Sequence, residues 1–220
     1  LNQLLQLGLP SSLQMFFEVS FFTFAIWVCG FLSKDAQAAN QIALNLSSMT
    51  FMVAMGLSVA ATIRVGNQKG FKAFGELKRI ALSVFLLTLL LDVVFAGVFV
   101  ACNEWLPWLY LDSATGLDTF AVAELAGSLL FIAAFFQIFD GAQVVALGSL
   151  RGLQDVRIPT WITFLAYVLI GVPVMLYLSI EAAMGARGVW IGLCLGLVVS
   201  SLLLYLRFRY LSNKLIRTNG

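Results

Sequence analysis

Residues 80–101 read IALSVFLLTLLLDVVFAGVFVA, from Ile80 to Ala101, 22 residues with a single charge, Asp92. As an α-helix such a run rises about 33 Å, enough to cross the ~30 Å hydrocarbon core of a bilayer. This run is the core of a span over 79–101; working outward, the same criterion marks 9–32, 41–63, 121–147, 159–180 and 188–208, with Val189 to Leu206 as clear as the first. The segments between them are short and insert no soluble domain. The reading is therefore an all-α polytopic membrane protein, six transmembrane helices forming one lobe over residues 1–220.

The whole chain agrees with its clearest span. Of 220 residues, 61% are apolar and 11% charged, with mean hydropathy +0.97. Soluble domains average roughly 45–50% apolar and ~25% charged, and so few charges could not cover a globular surface of this size. Histidine is absent, which removes Ser-His-Asp triads, Cys-His dyads and His-containing zinc sites. Cys29, Cys102 and Cys194 are widely spaced and read as small packing residues. The chain opens at Leu1 without a basic segment and cleavage site, so no signal peptide is expected. An amino-terminal part of a longer protein is expected to precede it.

Charge placement gives orientation. Arg64, Lys69, Lys72, Lys78 and Arg79 follow the second span, Arg151 and Arg157 the fourth, and Arg207, Arg209, Lys214 and Arg217 the sixth. These are 11 of the 13 basic residues, and they share one side if six spans alternate. The other side keeps Lys34 and Arg187 with the acidic Asp35, Glu104, Asp112, Asp118 and Glu181. The positive-inside rule then puts both termini in the cytoplasm. Trp105, Trp108 and Tyr110 suit an outer interfacial belt, on a short element containing Pro107. Pro159 suits a first helical turn, and Pro173, after Gly171, predicts a kink in the fifth span.

Against this background two acidic residues stand out. Glu18 sits in Met15-Phe16-Phe17-Glu18-Val19, with Gln14 and Ser11 one and two turns before it on the same face. Asp140 sits mid-span between Gln137 and Gln143, beside Gly141, which permits close backbone approach. A carboxylate in hydrocarbon costs about 2.5–3.5 kcal/mol on insertion scales, so each must face the bundle interior, hold a proton or bind a cation. No Lys or Arg falls mid-span to balance them. Hard oxygen ligands suit sodium or a proton. Asp92 has only Thr88 as polar company and reads equally as a functional or a packed residue. Gln41, Asn45 and Ser48 make a polar stripe on the second span, with Met49, Met52 and Met55 beside it as an adaptable apolar surface. The run Gly148–Asp155 reads as a cytoplasmic turn, without the spacing of a phosphate-binding loop.

Several stretches together resemble one family. They are Gly8-Leu9-Pro10 followed by Phe16-Phe17-Glu18-Val19; DAQAANQIA at 35–43; Gly56 with AATIRVG at 60–66 and Gly70; DGAQVVALGSLRGLQD at 140–155 with Pro159; and Gly188-Val189-Trp190-Ile191-Gly192. In order and spacing they resemble the carboxyl-terminal half of NorM-type transporters of the multidrug and toxic compound extrusion (MATE) family. The resemblance implies one lobe of a two-lobed, twelve-helix antiporter in the bacterial inner membrane, its amino-terminal lobe lying elsewhere in the same protein. It implies exchange of cationic amphipathic drugs for sodium or protons bound at Glu18 and Asp140, with no cofactor. Gln14, Asn45, Gln137, Gln143 and Asp92 are the further polar residues expected at the cleft. Some sodium-coupled members carry a tyrosine one turn before the aspartate; Phe136 stands there, which leaves protons as open as sodium. A flippase for lipid-linked oligosaccharides, from the same superfamily, is the alternative, disfavoured by the lack of mid-span Lys or Arg for a pyrophosphate. An intramembrane enzyme lacks an activated nucleophile, and nothing marks a nucleic-acid partner. Membrane lipid is the expected surroundings.

Overall fold

A computed structural model describes residues 2–111 and 118–219. Asp112, counted above with the outer acidic residues, lies outside the described residues. Among the described residues six helices are long and apolar enough to cross a membrane: Leu5–Leu32, Lys34–Gly70, Phe74–Ala101, Thr119–Gly152, Arg157–Glu181 and Gly185–Thr218. No strand occurs among the described residues.

The helices overshoot the apolar runs. α1 (Asn2–Leu32), α2 (Lys34–Gly70), α3 (Phe74–Ala101) and α4 (Thr119–Gly152) precede a composite fifth span, and α7 (Gly185–Asn219) closes the chain. At 37 residues α2 is about 55 Å long, well beyond the hydrocarbon thickness. Its start is capped by the Ser33 hydroxyl, which accepts from the Ala36 N–H at 3.0 Å. Asp118 caps α4 in the same way at 3.2 Å. Trp105, Trp108 and Tyr110 are exposed around a 3-10 helix, Leu106–Leu109.

α4 is the central helix, packed against α2, α3 and α7. Its seam with α2 is closed by small residues. A side chain at Gly148 would run into the Ser58 backbone, and one at Gly152 would come within 2.7 Å of the Thr62 carbonyl. That closeness lets the Ser58 hydroxyl donate to the Val144 carbonyl at 2.6 Å and Thr62 to Gly148 at 2.9 Å. Close backbone approach with hydroxyl hydrogen bonds replaces the hydrophobic drive that lipid does not supply. Gly188 and Gly192 play the same part between α7 and the fifth span, a Cβ on Gly192 falling 2.5 Å from the Met175 Cα. The Trp190 indole, fully buried, donates to Asn40 at 3.0 Å.

The kink expected at Pro173 takes a different form. The fifth span is α5 (Arg157–Phe164), a π-helical stretch Leu165–Gly171, α6 (Val172–Leu176) and a second π-helical stretch Tyr177–Glu181. Proline cannot donate to the carbonyl four residues back. Here the break is spread over wider turns, with the Val172 N–H reaching Tyr167 instead.

The turn expected at Gly148–Asp155 also differs. α4 stays helical to Gly152, and only Leu153–Asp155 turn, with Gln154 at φ +62°. Lys69 donates to the Leu153 carbonyl at 2.7 Å and to Gln154 at 3.1 Å. Asp155 pairs with Arg207 at 2.7 Å, the single ion pair among the described residues.

Candidate ion and substrate cavity

α1, α2 and α4 enclose a cavity of about 330 Å³, within the range of small-molecule sites. α1 contributes Met15, Glu18, Val19, Phe22 and Ile26; α2 contributes Gln41, Leu44, Asn45, Ser47, Ser48, Phe51 and Met55; α4 contributes Phe136 and Asp140. The polar stripe of α2 thus faces both carboxylates across an otherwise apolar chamber. Helical spacing does this: 41, 45 and 48 share one face of α2, as 136 and 140 share one of α4. Of the three methionines expected beside the stripe, Met55 lines the cavity. Met49 and Met52 point outward, 66% and 67% exposed, and Met15 of α1 takes the corresponding place.

Asp140 is 5% exposed, and its Oδ1 has no hydrogen-bond partner. It is close enough to interact electrostatically with both Glu18 and Asp92. Neither Glu18 nor Asp140 forms an ion pair within the described residues. The Phe136 ring is held edge-on by Phe22 at 5.9 Å and Trp190 at 5.3 Å. It lines the cavity one turn before Asp140 without offering an oxygen. The three carboxylates do not converge into one metal cage: among the described residues no group of three or more acidic or thiol ligands is so placed.

The five further polar residues separate. Asn45 lines the cavity, with Nδ2 donating to the Gln41 carbonyl at 3.0 Å. Gln14, Gln137, Gln143 and Asp92 do not line it; they are buried in the helix seams around it. Gln137 donates to the Asp92 carbonyl at 3.3 Å, and Gln143 accepts from the Tyr167 hydroxyl at 2.6 Å.

Two residues escaped the sequence reading. Tyr167 is fully buried on the π-helical stretch, stacked on Phe21 with ring centroids 4.8 Å apart, and interacts with both Glu18 and Asp140. A tyrosine far from either interfacial belt was the available signal. Arg151, expected in a cytoplasmic turn, lies half-buried in the last turn of α4. Its Nη2 donates to Gln14 Oε1 at 3.4 Å, and its charge acts on Glu18. No Lys or Arg lies mid-span beside the acidic pair, but one guanidinium, in the last turn of α4, acts on Glu18 without pairing with it. Four or five residues of helix beyond position 147 were enough to carry it in.

A family model described as MatE matches residues 10–176. The chain belongs to the MatE family. It is 35% identical over 218 residues to a "Probable multidrug resistance protein NorM" of Xanthomonas axonopodis pv. citri, covering 99% of this chain and 46% of that protein. It is 38% identical over 218 residues to a "Multidrug resistance protein MdtK" of Yersinia pestis, covering 97% and 46%. This MatE chain thus spans about half the length of the curated relatives it matches. The crystal structure of the eukaryotic MATE transporter AtDTX14 superposes with a TM-score of 0.86 at 21% identity, over 100% of this chain and 49% of that one. At that identity the likeness establishes the shared fold.

Proposed function

We propose that this MatE chain is the carboxyl-terminal lobe of a secondary transporter that exports amphipathic cationic compounds in exchange for sodium ions or protons. The coupling cation is taken at Glu18 and Asp140. The observation that carries this reading is two interacting carboxylates on the wall of an apolar cavity, with neither paired to a base. Charge so placed must be neutralised by something that comes and goes, because a carboxylate stranded at low dielectric is costly. A flat cationic drug fits the same chamber: apolar walls hold its rings, and Asn45 and Gln41 supply amides. The cation and the drug would compete for one negative site, which is what exchange requires. Binding of the cation from outside would favour the conformation that releases drug outward. Host membrane and topology follow from the same reading: a bacterial inner membrane with both ends of this segment cytoplasmic. The flippase alternative is not favoured, since no Lys or Arg lines the cavity.

The test is dye efflux from vesicles holding the full-length transporter, with sodium and pH gradients imposed separately. Glu18→Gln and Asp140→Asn are each expected to reduce gradient-driven efflux at least tenfold, a change of about 1.4 kcal/mol in coupling. Efflux at wild-type rates in both variants would remove the carboxylates from the mechanism.

A further inference from the structure

We propose that Asp92, Gln137 and Asp140 form a second cation subsite in the α3–α4 seam, behind the cavity wall, which takes one small hard cation, a proton or a sodium ion. The proposal deepens the reading above and relies on it for the use of the cation in transport, though not for its binding.

Asp92 does not reach the cavity; it is 3% exposed. Its carboxylate fills the notch left where Gly141 has no side chain, with Cγ 2.8 Å from the position a Cβ would occupy. Gly141 adjoins Asp140, and the two acidic groups interact electrostatically across the seam. Gln137 lies one turn before Asp140, and its Nε2 donates to the Asp92 carbonyl at 3.3 Å. That bond fixes which end of the amide is oxygen. Three buried acceptors then remain with no donor: Asp92 Oδ2, Gln137 Oε1 and Asp140 Oδ1.

A merely structural aspartate would be supplied with donors. The nearby hydroxyl, Thr88, is turned away and donates to Val84 at 2.9 Å. Among the described residues no cationic group pairs with either carboxylate. Arg151 acts on Glu18, and Tyr167, from the fifth span, brings a neutral phenol bonded to Gln143. A water molecule could complete hydrogen bonds but would not cancel charge. Three acceptors, two of them acidic and none with a donor, call for a proton or a cation.

The experiment measures cation binding by the purified full-length protein: sodium-22 retained at equilibrium, and protons released on titration in sodium-free buffer. Asp92→Asn is expected to lower the cation count to about half in one of the two arms, and the arm affected names the ion. Glu18→Gln should leave the Asp92-dependent portion in place. Gly141→Ala keeps the carboxylate but evicts it from its notch, and is expected to reproduce the Asp92→Asn deficit. Asp92→Glu should retain binding. Wild-type counts in both arms for both Asp92→Asn and Gly141→Ala, with native thermal melts, would overturn the subsite. If Glu18→Gln and Asp140→Asn left efflux intact, the transport reading would fall while this binding measurement still decided the subsite.

Discussion

Arg151 changes what Glu18 can do. A guanidinium that acts on the carboxylate without closing on it lowers the carboxylate's appetite for a second positive partner. If Glu18 takes the coupling cation as proposed, Arg151 would help release it. Arg151→Gln should tighten cation binding about fivefold, from an interaction on the order of 1 kcal/mol at intermediate dielectric. The same variant should slow turnover, because release becomes harder. Sodium or proton titration of drug release measures the first effect and efflux rate the second; unchanged affinity would mean that the guanidinium only ties α4 to Gln14. Glu18 and Asp140 were legible in the sequence because a charge among phenylalanines and valines has few alternatives. Asp92 was equally conspicuous but not interpretable, since its meaning depends on which neighbour faces it. The notch at Gly141 exists only once α3 lies on α4. Tyr167 was hidden for a related reason: its direction follows from π-helical turns, which helical spacing does not anticipate.

Among the elements, the α2–α4 seam is the tightest built. Gly148→Ala puts a methyl group against the Ser58 backbone, which cannot yield as a flexible side chain would. A loss of about 1–3 kcal/mol is expected from such overpacking. Gly97, exposed on α3 with nothing within 4 Å, provides the contrast. There Ala should be neutral or stabilising by up to about 1 kcal/mol through helix propensity. Unfolding of both variants in detergent checks the pair; equal effects would deny the seam its special role. The number of spans was readable from hydropathy. Their ends were not, because hydropathy reports where hydrocarbon begins and not where hydrogen bonding stops. Lys34 and Arg151 are helical though neither is apolar.

The molecule as a whole shows its asymmetry in its charges. Lys69 and Arg207 both serve in polar ties at the end where basic residues gather, while Trp105 and Trp108 ring the opposite end. In a background without native cysteines, Asn67→Cys and Leu109→Cys should react with a membrane-impermeant maleimide from opposite faces, Asn67→Cys only from the cytoplasmic one. Labelling of both from one face would refute the six-span alternation. The joint between α2 and α4 also constrains how the chamber can change width. Three successive levels bind the two helices, Ser58 to Val144, Thr62 to Gly148 and Lys69 to Leu153. Two sides of the room are therefore a single rigid panel. Among the described residues α1 is fastened to its neighbours by side-chain hydrogen bonds at Pro10 and Gln14, and elsewhere packs against them through apolar surfaces. If the chamber breathes, α1 is the door and the bond from Thr160 to the Pro10 carbonyl its hinge.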